Sequence, residues 1–109
     1  SFMDVMPQTP GHTLLIPKYD TEDIFNLPEE YFTFLMDAKK RIARAIKKAY
    51  EPTGVMIMQL NGKEAGQTVF HLHFHIIPRK DGLNYKFHSS DPVNFNELEK
   101  EAEKIKKWL

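Results

Sequence analysis

Residues 70–78, FHLHFHIIP, alternate polar and apolar positions, with His71, His73 and His75 interleaved by Leu72, Phe74 and Ile76. A period of two predicts a strand with an apolar face and a histidine face. That strand extends back to Gln67, as QTVFHLHFHIIP over 67–78. Ahead of it, GVMIMQL (54–60) is an unbroken apolar run of strand length. NGKEAG (61–66) lies between them and opens on Asn-Gly, so the two strands are predicted to pair as an antiparallel hairpin. TPGHTLLIPK (9–18) predicts a turn, a short apolar strand and a proline stop.

The period becomes helical in LPEEYFTFLMDAKKRIARAIKKAY (27–50), where Phe32, Leu35, Met36, Ile42 and Ile46 form one apolar face. Pro28 suits the first turn, Glu29 and Glu30 follow where the helix dipole favours acids, and Pro52 and Gly54 end the helix. Met56, Met58 and the helix aromatics read as core. A turn at Asp81-Gly82 and an extended piece near Tyr85–Phe87 come next. A terminal helix over 94–109 is anchored by Leu98, Ile105, Trp108 and Leu109. With no repeat and no linker, 1–109 reads as a single domain.

The apolar fraction of 41%, with eight Phe, can fill one core. Fifteen basic residues balance fifteen acidic ones, which argues against a DNA-binding domain and leaves room for a local phosphate site. Lys39, Lys40, Lys47 and Lys48 lie off the apolar helix face and read as its solvated side. The chain has no cysteine, hence neither disulfides nor thiolate ligands, which suits a reducing, cytoplasmic setting. No apolar run is long enough to predict a membrane span, and no signal peptide is visible. The abrupt, apolar start at Ser1-Phe2 leads us to expect an upstream segment.

On a strand, His71, His73 and His75 would share one face, each about 6.5–7 Å from the next. Histidine is not a favoured strand residue, so an accidental cluster is the weaker reading. Two imidazoles in His-x-His can bind zinc, but a site needs three or four protein ligands, and no acid lies between Thr68 and Arg79. A neutral imidazole is also a good nucleophile toward phosphorus, and flanking imidazoles can bind phosphate oxygens and move protons. Gly66, Gln67 and Thr68 offer close backbone approach and side-chain donors, and Arg79 a charge. On local chemistry both metal binding and catalysis stay open.

AGQTVFHLHFHIIPR (65–79) resembles the signature of the histidine-triad (HIT) superfamily, His-φ-His-φ-His-φ-φ with φ apolar. FMDVMPQTPGHTLLIPK (2–18) resembles a second block of that family, in the expected order and separated by the expected helix. The resemblance implies an α+β fold, the HIT fold: an antiparallel sheet of about five strands with a long helix packed on it. It also implies a homodimer joined through the helix and a strand. The implied activity is hydrolysis at the α-phosphate of a purine nucleotide conjugate, a phosphoramidate or a dinucleoside polyphosphate. His75 is intact, which favours the hydrolase branches over transferases that carry Gln there. No cofactor is required, although divalent ions assist some relatives with polyphosphate substrates. A nucleotide-binding scaffold with incidental hydrolysis is the alternative role.

By resemblance His73 matches the nucleophile, forming a nucleotidyl-histidine. His75 matches a phosphate ligand, as does Gln67 or Thr68. His71 matches the residue whose carbonyl orients the nucleophile, and His12 a further histidine near the phosphate. Asp4 matches a ribose-binding acid, and Phe2, Met3 and Val5 match the base pocket. An expected Asn or Gln is Leu60 here, so Asn61 is expected to take its phosphate contact. Relatives that bind structural zinc do so through an N-terminal Cys-x-x-Cys, which this chain lacks, so no metal is expected.

Overall fold

A computed structural model describes residues 2–3, 10–80 and 95–109. The predicted turn at Asp81-Gly82 and the extended piece near Tyr85–Phe87 lie outside them. The fold is α+β. Among the described residues, four strands form one antiparallel sheet: β1 (Phe2–Met3), β2 (Thr13–Leu15), β3 (Gly54–Met58) and β4 (Phe74–Arg79), in spatial order β1-β2-β4-β3. Helix α1 (Phe32–Tyr50) joins β2 to β3, and α2 (Phe95–Lys106) follows β4. No helix among the described residues is long and apolar enough to cross a membrane.

The predicted hairpin forms, with Gly54 opposite Arg79 and Met58 opposite His75. Its second strand is shorter than predicted, because β4 begins at Phe74 rather than Gln67. Residues 67–73 are drawn off the ladder by other contacts. The Gln67 amide group bonds to Glu22 O at 2.7 Å and Val69 O at 3.0 Å, and Leu72 N–H donates to Thr21 O at 2.8 Å. The alternation persists through this segment: Leu72, Phe74 and Ile76 are all buried in one core cluster. The predicted apolar face is therefore correct even where the strand is not.

The long helix also starts later than its sequence pattern. Pro28 is extended, Glu29–Tyr31 make a 3-10 turn, and α-helix begins at Phe32. It ends on Glu51, whose left-handed backbone (φ 48°) lets its amide bond to Lys47 O, just before Pro52. Leu35, Ile42 and Ile46 are buried against the sheet as predicted, but Phe32 and Met36 are 50% and 62% exposed. Met36 lies about 100° around the helix from Leu35, beyond the sheet-facing arc. Ala45, wholly buried, fills that arc instead, and so brings the backbone close to β4. On α2, Leu98 and Ile105 anchor the helix, whereas Trp108 and Leu109 lie beyond its end and stay half-exposed. Met56 and Met58 are only half-buried, on a strand that is outermost among the described residues. Each fully buried Leu or Ile contributes about 1.5–3 kcal/mol. The core that carries β4 is thus the main stabilising unit of the described chain.

Candidate active site

β4 lies between β2 and β3, and it sets His75 opposite Leu14 on one side and Met58 on the other. His12 stands just before β2. The antiparallel register brings the two rings together: His12 Nε2 lies 2.8 Å from His75 Nδ1, with both residues almost fully buried. One ring donates and the other accepts. A shift of that shared proton between tautomers changes what His75 presents at its Nε2.

His73 is held differently. Its Nδ1 lies 2.7 Å from the carbonyl of His71. A carbonyl only accepts, so Nδ1 carries the proton, and in the neutral ring Nε2 keeps its lone pair. The rings of His73 and His75 meet edge to face, with centroids 4.9 Å apart. His71 directs Nε2–H at Pro17 O (3.3 Å), while Nδ1 lies 3.6 Å from the exposed Asp20 carboxylate. Its side chain therefore turns away from His73, and only its backbone serves that ring.

The remaining predicted residues separate into scaffold and rim. Gln67 is buried, and its amide is committed on both sides, accepting from Gly62 N at 2.7 Å and donating to Glu22 O and Val69 O. Those bonds shape the turn ahead of the histidines. Thr68 is exposed beside it. Asn61 Oδ1 accepts from Ile24 N–H (3.0 Å) and Gln59 Nε2 (2.6 Å), tying the hairpin loop to the segment before α1. Asp4 and Val5 lie outside the described residues, and only the backbone of Phe2 and Met3 is described. Sequence reasoning missed Asp20 and the Pro17 carbonyl, both on the segment following β2. They lie 51 and 54 residues from His71, and no local spacing links them. Among the described residues, no three His, Asp or Glu side chains are grouped to share a metal ion.

This geometry has counterparts. Residues 1–82 match the family model described as the HIT domain. The chain is 42% identical to "Protein hit" of Bacillus subtilis, the match covering 84% of this chain and 66% of that protein. It spans just over half, 56%, of a HIT-like protein from Saccharolobus solfataricus. It is 34% identical to an adenosine 5'-monophosphoramidase of Candida albicans, covering 100% of this chain and 76% of that one. It is 37% identical to a bis(5'-adenosyl)-triphosphatase of Dictyostelium discoideum, covering 94% and 66%. The crystal structure of a HIT-like protein from Bartonella henselae superposes with a TM-score of 0.89 at 42% identity, covering 99% of this chain and 78% of that one. With matching sequence blocks and a matching fold around the His71–His73–His75 segment, the chain belongs to the HIT family.

Proposed function

We propose that the chain is a nucleotide hydrolase that cleaves at the α-phosphate of a purine nucleotide conjugate, either a phosphoramidate or a dinucleoside polyphosphate. The carrying observation is the 2.7 Å bond from His73 Nδ1 to the His71 carbonyl, which leaves Nε2 as the free lone pair. Nε2 attacks the α-phosphorus, the bond to the leaving nitrogen or oxygen breaks, and a nucleotidyl-imidazole forms. Water then attacks the same phosphorus, releasing the nucleoside monophosphate and restoring His73. His75, partnered by His12, donates to a phosphate oxygen, and Thr68 offers a hydroxyl at the rim. Gln67 orders the turn rather than touching phosphate. The names of the Candida and Dictyostelium relatives support both substrate types.

The homodimer belongs to the same reading. Among the described residues β3 is the outer strand of the sheet, and Ile57 on it and Met36 on α1 are 46% and 62% exposed. A second copy of the chain would cover both. Steady-state hydrolysis of adenosine phosphoramidate and diadenosine triphosphate tests the activity. His73→Ala should reduce it at least about a thousandfold. Unchanged turnover in that variant would refute the mechanism, and tight nucleotide binding without turnover in the unaltered chain would favour the scaffold role.

A further inference from the structure

The proposed chemistry takes only a backbone carbonyl from His71, and any residue at that position has one. The ring nevertheless has its own partner. His71 Nε2 lies 3.3 Å from the carbonyl of buried Pro17. A carbonyl only accepts, so this contact needs the His71 proton on Nε2. The peptide unit that follows His71 is held at both its polar atoms. Its oxygen accepts from His73 Nδ1 at 2.7 Å, and its nitrogen, that of Leu72, donates to Thr21 O at 2.8 Å. Pro17 and Thr21 stand four residues apart on the segment between β2 and α1.

We propose that the His71 side chain is a positioning residue for the nucleophile: by gripping the Pro17 carbonyl it fixes the peptide whose oxygen aims the His73 ring. The His71 ring touches no reacting atom. It acts through one planar unit, in which the direction of the N–H sets the direction of the C=O. The bond to Thr21 alone leaves that plane free to swing about the N–H···O axis. The ring, anchored at Pro17, removes this freedom, and the His73 bond keeps its length and angle.

The same peptide also couples the strap to the nucleophile electronically. Donation from Leu72 N–H makes the His71 oxygen a stronger acceptor, and bonds in such a chain strengthen one another by roughly 10–30% each. The effect ends at His73 Nε2, whose lone pair gains electron density. Asp20 is not the link: its carboxylate lies 3.6 Å from His71 Nδ1, but it is fully exposed and screened by water. Gln67 Nε2 holds the strap one residue beyond Thr21, at Glu22 O, so the ring secures the Pro17 end and the turn secures the other.

Only the kinetic arm of the test rests on the hydrolase reading. The full chain is compared with His71→Ala and His71→Gln, the latter keeping an N–H donor near the position of Nε2. Ring-nitrogen NMR of His73, the Leu72 amide resonance and phosphoramidate kinetics are read together. His71→Ala should move the His73 and Leu72 signals and lower kcat about tenfold with KM little changed. His71→Gln should return all three toward the unaltered chain, although it too lacks the ring. His73 signals in His71→Ala that superimpose on those of the unaltered chain would overturn the proposal and leave the His71 ring as packing alone. Should His71→Ala not fold, the unaltered chain decides. At a pH where both rings are neutral, His71 should carry its proton on Nε2 and His73 on Nδ1, and a His71 ring protonated on Nδ1 would overturn the proposal. If the unaltered chain cleaves no phosphoramidate, the hydrolase reading fails while the ring signals still decide the positioning role.

Discussion

His73 and His75 stand two residues apart with edge-to-face rings, yet they are held by different chemistry. His73 is half-buried, lies outside the ladder, and bonds to a backbone carbonyl. His75 is buried within β4 and bonds to another imidazole. A carbonyl leaves one tautomer, whereas an imidazole leaves two. The difference separates a ring with a fixed lone pair from a ring able to give or take a proton as a phosphate arrives. Alternating spacing made the histidines look equivalent, and their partners make them unequal.

The largest expected effect tests the fixed ring. His73→Ala should abolish measurable turnover while leaving thermal stability nearly unchanged, because the half-buried ring contributes little to the core. A large fall in Tm would show that His73 is a packing residue. His12→Ala tests the adjustable ring. It removes the 2.8 Å bond to buried His75, which should cost about 1–2 kcal/mol in chemical denaturation and reduce kcat by up to about a hundredfold. Equal losses of activity in His73→Ala and His12→Ala would erase the distinction between them.

Smaller effects come from the support beneath His12. Gly11→Ala places a Cβ within 2.7 Å of the Tyr50 ring at a φ of +89°, so it should destabilise by about 1–3 kcal/mol, read from the denaturation midpoint. The smallest effect is the pH response of Glu101→Gln. Burial on α2 sets the folded-state pKa of Glu101 above its unfolded value, so the folded chain holds the extra proton, and stability falls as pH rises through that range. The Tm of Glu101→Gln relative to the unaltered chain should therefore rise as the pH climbs above the usual carboxylate range. A flat difference would mean that the carboxyl is solvated like any surface acid.

Much of this was legible in the sequence. Alternation along 70–78 gave the core face of Leu72, Phe74 and Ile76, and the Asn-Gly turn gave the hairpin. Periodicity overstated the strand, because Gln67 and Leu72 spend their hydrogen bonds on Glu22, Val69 and Thr21, distant contacts that leave no local pattern. It also overstated the helix face: Phe32 and Met36 are apolar at near-helical spacing, but the sheet covers a narrower arc, which the small Ala45 fills. The site was legible as residue types and not as a network. That His12 meets His75 follows from strand register, that Gly11 abuts the Tyr50 ring follows from helix packing, and neither contact has a spacing that a single chain displays.

Rapid quenching during turnover, followed by peptide mass spectrometry, shows which histidine carries the nucleotidyl group. We expect a nucleotidyl adduct on His73, formed and consumed at catalytically competent rates and absent from His73→Ala. Turnover with no adduct, or with the adduct on His71, His75 or His12, would contradict it.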